Sequence, residues 1–156
     1  MKNKIYSSFD EAVSDIPDGS TVMSPGFGQV GVPRNLLAAL TRQGAKQLTA
    51  ISNNAGTLDE KIDIGTLIEA GQVKKMICAF TAPTHPSQVT PFVRMYNNDE
   101  IDAELVPQGT LAERMRAAAA GIGGFYTPTS VGTELAEGKE HREINGRIHV
   151  LEYPLP

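Results

Sequence analysis

The side chains that stand out in this sequence are suited to stabilising charge rather than to starting a reaction. The clearest run is Pro25-Gly26-Phe27-Gly28-Gln29-Val30-Gly31, formally Gly-x-Gly-x-x-Gly. Glycines let a backbone approach a phosphate or thioester closely, and a following helix offers free N–H groups and the positive end of its dipole. As a dinucleotide fingerprint the run is incomplete. Ser52, Asn53 and Asn54 stand where an acidic residue is expected ~20 positions on, and Pro33 delays the helix. An anion or thioester-ligand loop therefore ranks above a purely structural glycine turn, and both rank above a nicotinamide site. Asn53-Asn54 serves equally well as a turn, because Asn tolerates left-handed backbone. Gln108, between Pro107 and Gly109, is either a solvated loop amide or, at the rim of a site, an N–H donor to a developing oxyanion.

Other chemistries find less support. No hydrolytic triad is visible, and His85, His141 and His149 lack zinc-ligand spacing. His149 falls in the terminal strand and reads as structural. Cys78, the single cysteine, lies in the apolar run Met76–Phe80, cannot form an internal disulfide, and reads as a small buried hydrophobe. The run Glu137–Glu143 reads as a solvated face, and the stripe Leu111, Met115, Ala118, Ala119 as core packing.

The elements that must position these residues follow from local signals. Ser8 or Asp10 caps a first helix through Val13. Ile16-Pro17-Asp18-Gly19 is a turn. Strands are expected at Ser20–Met23, Leu48–Ser52, Val73–Phe80 and Ile101–Val106, with another starting at Phe125. A helix starts at Pro33 and stops at Gly44, on the spacing of Leu36, Leu37 and Leu40. Further helices are read at Ile64–Ala70, Phe92–Tyr96 and Leu111–Ala120, the last capped by Thr110 with Glu113 three residues on. Thr81–Pro91 and Pro128–Gly132 are loops. Asn145-Gly146 joins two strands in the strongest hairpin signal of the chain.

Strands alternate with helices over the first 125 residues, which predicts an α/β fold: a layered domain with a mainly parallel sheet flanked by helices, ending in a C-terminal β-hairpin. Ligands of such sheets bind beyond the carboxyl ends of the strands. The loops at 25–31, 52–56 and 106–109 each follow a predicted strand and are expected at one rim.

The 156 residues suit a single domain, and a formal charge of −4 argues against nucleic acid or an anionic membrane as main partner. No stretch approaches the ~20 apolar residues that cross a bilayer, and the basic start MKNK is followed by no apolar signal core. The lone thiol fits a reducing cytoplasm.

These blocks, taken in order, resemble the family I CoA transferases, most closely the α subunits that act on 3-oxo acids and 3-oxoadipate. The resemblance runs from about Ile5 to the C-terminus. Its anchors are Asp18-Gly19, Gly26-Phe27-Gly28 with Gly31 and Pro33, Ser52-Asn53-Asn54-Ala55-Gly56, and Pro107-Gln108-Gly109-Thr110-Leu111-Ala112-Glu113-Arg114. Phe125-Tyr126-Thr127-Pro128-Thr129, Gly132-Thr133 and Ala136-Glu137-Gly138-Lys139-Glu140 complete them. The resemblance implies covalent catalysis by a glutamate of a β subunit, through an acyl anhydride and an enzyme–CoA thioester. CoA esters are then the substrates, no metal or redox cofactor is implied, and an α2β2-type assembly with the β subunit is expected. Gln108 matches a position that helps stabilise the oxyanion. Asn53 and Asn54 match residues lining the active site, and Gly26, Phe27, Gly28 and Gly31 match the signature loop beside it.

The chain departs from the family pattern in three places. Pro25 replaces the first glycine of the signature, which removes an N–H from that position. Ser130 stands where glycine is common, and Thr81–Thr90 diverges. The chain stops at Pro156, where family members continue, so an incomplete C-terminus is expected. Rival readings are a nucleotide-binding dehydrogenase, a sugar-phosphate sensor-like binding domain and an inactive remnant.

Overall fold

The computed structural model describes residues 4–57, 61–83, 85 and 87–156. Met1–Asn3 of the basic start, and Thr84 and Pro86 of the proline-rich loop, lie outside the described residues. The chain forms two compact units, Met1–Glu104 and Leu105–Pro156.

The first unit is an α/β layer. Its elements are α1 (Phe9–Val13), β1 (Thr21–Met23), α2 (Arg34–Gln43), β2 (Leu48–Asn54), α3 (Ile64–Glu69), β3 (Val73–Phe80), α4 (Pro91–Asn97) and β4 (Asp102–Leu105). The strands lie in the order β1-β2-β3-β4, with β1–β2 and β2–β3 parallel. Helical connections on a parallel sheet cover it from outside, so its central strands are apolar on both faces. Leu48, Ala50 and Ile51 of β2 and Val73, Met76, Ile77 and Cys78 of β3 are accordingly buried. Leu37, Ala39 and Leu40 of α2, with Ile64, Leu67 and Ile68 of α3, pack in the same core. Of the leucines whose spacing defines α2, Leu36 is the exception and stays partly exposed.

The helix ends follow their local chemistry. The Ser8 hydroxyl, rather than Asp10, caps α1 by accepting from Glu11 N–H at 3.1 Å. Pro33 precedes α2, and Gly44 closes it in the left-handed conformation. Gln72, buried between these elements, donates its amide to the Leu40 and Ala45 carbonyls, both at 3.0 Å. The Leu40 carbonyl also accepts from Gly44 N–H at 3.1 Å, so the Gln72 amide adds a second bond at the end of α2.

The second unit contains α5 (Gln108–Ala120), β5 (Phe125–Thr127), a short 3₁₀ turn at Glu134–Ala136, β6 (His141–Ile144) and β7 (Arg147–Glu152). Its sheet is antiparallel in the order β5-β7-β6. Asn145 and Gly146 both take positive φ, 52° and 76°, as a two-residue hairpin whose turn matches the strand twist requires.

Three local expectations are corrected here. β2 runs on through Asn54, because its ladder with β3 continues to the Asn54–Phe80 pair, so Asn53-Asn54 is strand and not a left-handed turn. Helix α5 starts at Gln108 rather than at Leu111: the Pro107 carbonyl accepts from Leu111 N–H at 2.8 Å, and no side chain caps the helix. Thr110 is therefore a buried helical residue, not a cap. The inner face of α5 is Thr110, Leu111, Arg114 and Ala117, while Met115, Ala118 and Ala119 of the expected core stripe are exposed. Arg114 takes the inner place because its Nε–H donates to the Tyr153 carbonyl at 2.7 Å, and its own carbonyl accepts from Leu155 N–H.

Candidate functional site

In the first unit the carboxyl ends of β1, β2 and β3 lead into loops that enclose a cavity of about 430 Å³. Phe27, Gly28 and Gln29 of the glycine-rich loop form one wall, Asn54 and Thr57 another, and Phe80 and Gln88 border the rest. This is where a parallel sheet presents ligands, because the loops after its strands are free of the ladder.

The glycine-rich loop is a tight reversal. Phe27 and Val30 exchange backbone hydrogen bonds, N–H of Phe27 to O of Val30 at 2.9 Å and the reverse at 3.1 Å. Gly26 has φ 136°, and a Cβ on it would come within 2.7 Å of Val32 Cγ2, so only glycine fits there. Gly26 and Gly31 shape the backbone of the reversal, whereas Phe27 and Gly28 border the cavity. Phe27 is largely exposed and meets Phe80 edge to face, with ring centroids 6.5 Å apart.

Asn54 and Asn53 are separated by the strand that carries them. Successive strand residues point to opposite faces. Asn54 is buried and lines the cavity, and Asn53 points to the other side of β2. Gln108 belongs to the second unit, where it is exposed at the first position of α5 rather than in a loop.

Asp63 and Gln29 carry a network that the sequence did not reveal. Asp63 is 4% exposed, and its carboxylate accepts four hydrogen bonds. Oδ1 takes Gly65 N–H at 2.7 Å, capping α3, while the Thr66 hydroxyl accepts from Asp63 N–H at 3.3 Å. Oδ2 takes Thr57 N–H at 2.9 Å, Thr57 Oγ1 at 2.8 Å and Gln29 Nε2 at 2.8 Å. Gln29 Nε2 also reaches Thr57 Oγ1 at 2.5 Å, and its Oε1 accepts from Arg34 Nη2 at 2.8 Å. Gly56 completes this corner: a Cβ on it would lie 2.6 Å from Gly65 Cα, so the two backbones can touch only through glycine. The signal available in sequence was Asp63-Ile64-Gly65-Thr66, a cap followed by a hydroxyl three residues on. Nothing local told that Gln29 would reach it.

The run Glu137–Glu143 is mostly exposed, as expected of a solvated face, yet Lys139, Glu140 and Arg142 make specific side-chain bonds. Lys139 Nζ pairs with the buried Glu152 at 2.5 Å. Glu140 accepts from the Tyr126 hydroxyl and from Arg142 Nη2, and the Arg142 guanidinium lies over the Tyr126 ring at 4.6 Å. The hydrogen bond from Tyr126 lowers the Glu140 carboxyl from its ordinary range, and the same bond raises the Tyr126 phenol. Cys78 is buried, and desolvation pushes its thiol up to about 11. Among the described residues no cluster of His, Cys, Asp and Glu could hold a metal ion, and no helix is long and apolar enough to cross a membrane.

Comparison with known proteins gives this geometry a context. The chain is 50% identical over 157 residues to the A-type subunit of the 3-oxoadipate CoA-transferase of Pseudomonas putida, covering 99% of this chain and 65% of the relative. It is 47% identical over 149 residues to the A-type subunit of a probable succinyl-CoA:3-ketoacid coenzyme A transferase of Bacillus subtilis, covering 96% of this chain and 60% of the relative. The chain thus spans somewhat less than two thirds of the length of these relatives. Among solved structures, a serine-for-cysteine variant of the decarboxylase AibA/AibB superposes with a TM-score of 0.78 at 25% identity, over 99% of this chain and 60% of that one. The family model described as Coenzyme A transferase matches residues 6–156, and the chain belongs to that family.

Proposed function

We propose that this chain is the α subunit of a heteromeric CoA transferase that moves CoA between an acyl-CoA, such as succinyl-CoA, and a 3-oxo acid. The observation that carries the reading is the 50% identity, over almost the whole chain, to the A-type subunit of a 3-oxoadipate CoA-transferase. In this reading the reacting carboxylate is a glutamate of the β subunit, which forms an anhydride with the acyl group and then a thioester with CoA. This chain supplies the surroundings. Phe27, Gly28 and Asn54 border the space for the thioester ligand, with Gly26 and Gly31 fixing the loop that carries them. Asn53 lies on the opposite face of β2, away from that space. Gln108 donates its amide to the developing oxyanion. The reaction takes CoA esters as substrates and calls for no resident cofactor. The working form is an α2β2-type assembly in the cytoplasm.

The test is reconstitution. The purified chain alone is expected to exchange no CoA between succinyl-CoA and acetoacetate or 3-oxoadipate, and addition of the cognate β subunit is expected to create that exchange. Borohydride trapping with acyl-CoA should then modify a β-subunit glutamate. Transfer by the isolated chain, or a CoA adduct on one of its own glutamates, would overturn the division of roles. Loss of CO2 from a CoA ester in place of transfer would move the reading towards the decarboxylase.

A further inference from the structure

We propose that Gln29 is a positioning residue: its carboxamide, clasped between the Arg34 guanidinium and the Asp63 carboxylate, holds the glycine-rich loop as a preformed wall of the cavity. The inference rests on the CoA-ester reading of that cavity and deepens it. The loop has little of its own to hold it. Three of its residues, Gly26, Gly28 and Gly31, have positive φ, and two backbone hydrogen bonds close its tip. Such a segment loses much conformational freedom when it is ordered, and a ligand that had to order it would bind more weakly.

Gln29 lies within that tip and uses both ends of one amide. Nε2 donates to Asp63 Oδ2 at 2.8 Å and to Thr57 Oγ1 at 2.5 Å. Oε1 accepts from Arg34 Nη2 at 2.8 Å, and the same nitrogen reaches the Gln29 carbonyl at 2.9 Å. The bridge therefore ties the loop to the first turn of α2 on one side and to the segment entering α3 on the other. Arg34 Nε is buried without a hydrogen-bond partner, so among the described residues the guanidinium bonds through Gln29. Only a side chain with a donor at one atom and an acceptor at the other satisfies both neighbours. A carboxylate at this position would suit Arg34 but would face the Asp63 oxygen that now accepts from the amide. Two carboxylates at that distance must share a proton or separate.

The substitution Gln29→Glu exploits that conflict, and Gln29→Ala removes the bridge without adding charge. Among the described residues the charged groups facing the bridge are Asp63 and Arg34, with Lys61 beside Asp63 on the neighbouring cavity wall. Hydrogen–deuterium exchange of residues 26–31 is measured in the wild type and both variants at pH 5.5 and pH 8. In the Ala variant the loop should exchange roughly tenfold faster than wild type at both pH values. The Glu variant, whose second carboxylate would meet Asp63, should exchange faster than wild type at pH 8, and the difference should shrink at pH 5.5, because a proton between the two carboxyls would restore a donor. In the assembled enzyme, Gln29→Ala should raise the KM for succinyl-CoA roughly tenfold while kcat stays within about twofold, because ordering the loop then falls to the ligand. Unchanged loop protection in the Ala variant, or a Glu variant that follows wild type at both pH values, overturns the bridge. Faster exchange with an unchanged KM overturns the positioning role. A wild type with the expected exchange pattern and no transfer activity removes the transferase reading while upholding the bridge.

Discussion

The two units of this chain are stabilised by different means. The first buries an apolar core on a parallel sheet, where Leu48, Leu67, Ile68 and Met76 are fully enclosed. The second buries fewer apolar side chains, Val106, Leu111, Ala117, Ala136, Val150 and Leu155. Polar cross-links add to them: Arg114 to the Tyr153 carbonyl, Lys139 to the buried Glu152, and Glu140 to Tyr126 and Arg142. A sheet covered on both faces must be apolar throughout, whereas a small antiparallel sheet keeps wet positions at which charged groups cost little. The first unit also carries buried polar bonds, from Gln72 to the Leu40 and Ala45 carbonyls and around Asp63, where the cavity loops meet.

The comparison predicts unequal costs for equivalent damage. Leu67→Ala empties a site with no solvent access and should lower unfolding stability by about 2–5 kcal/mol, read as a lower urea midpoint. A loss below about 1 kcal/mol would mean that the parallel layer is less well packed than its burial implies. Gln108→Ala removes an exposed side chain at the start of α5. It should leave the melting temperature within a degree or two but lower kcat of the assembled enzyme by roughly 10²–10³, if its amide meets the oxyanion. Unaltered turnover would take Gln108 off the catalytic list.

Lys139→Met tests the polar side of the contrast. It leaves Glu152, whose side chain is 4% exposed, without its cation. Removal of one partner of a buried pair costs about 3–5 kcal/mol, but Lys139 is itself 32% exposed, so screening reduces the expected loss to roughly 1–3 kcal/mol. A double substitution with Glu152→Met should recover part of it. A single variant as stable as wild type would show that the second unit does not depend on this pair.

An effect confined to alkaline pH concerns Cys78 in the first core. Its thiol is raised from 9.0 to about 11 by desolvation, so the folded state holds the proton that the unfolded chain gives up. The associated stability is fully present below pH 9 and is lost as pH rises towards about 11. Wild type should therefore lose on the order of 2 kcal/mol more than Cys78→Ala across that interval, measured by parallel denaturant titrations. Equal alkaline slopes would mean that water reaches the thiol.

Much of this architecture was legible locally. The alternation of strand and helix signals, the turn at Asp18-Gly19, the stop at Gly44 and the Asn145-Gly146 hairpin are each written within a few neighbouring residues, because φ preference, capping and side-chain period act at that range. The order of the blocks around Gly26, Asn54 and Gln108 was enough to place the chain in its family. What tertiary structure alone decided is which face of each element turns inward and which distant residues meet. Continued pairing with β3 made strand of Asn53-Asn54 and sent the two amides to opposite faces. Packing in the second unit placed Arg114, not Met115, on the inner side of α5, because a carbonyl 39 residues away offered its guanidinium a partner. Gln29 and Asp63, 34 residues apart, carry no local mark of their bond. Their types allow many partners, and only the fold, by bringing one buried acceptor to one amide, selects this one.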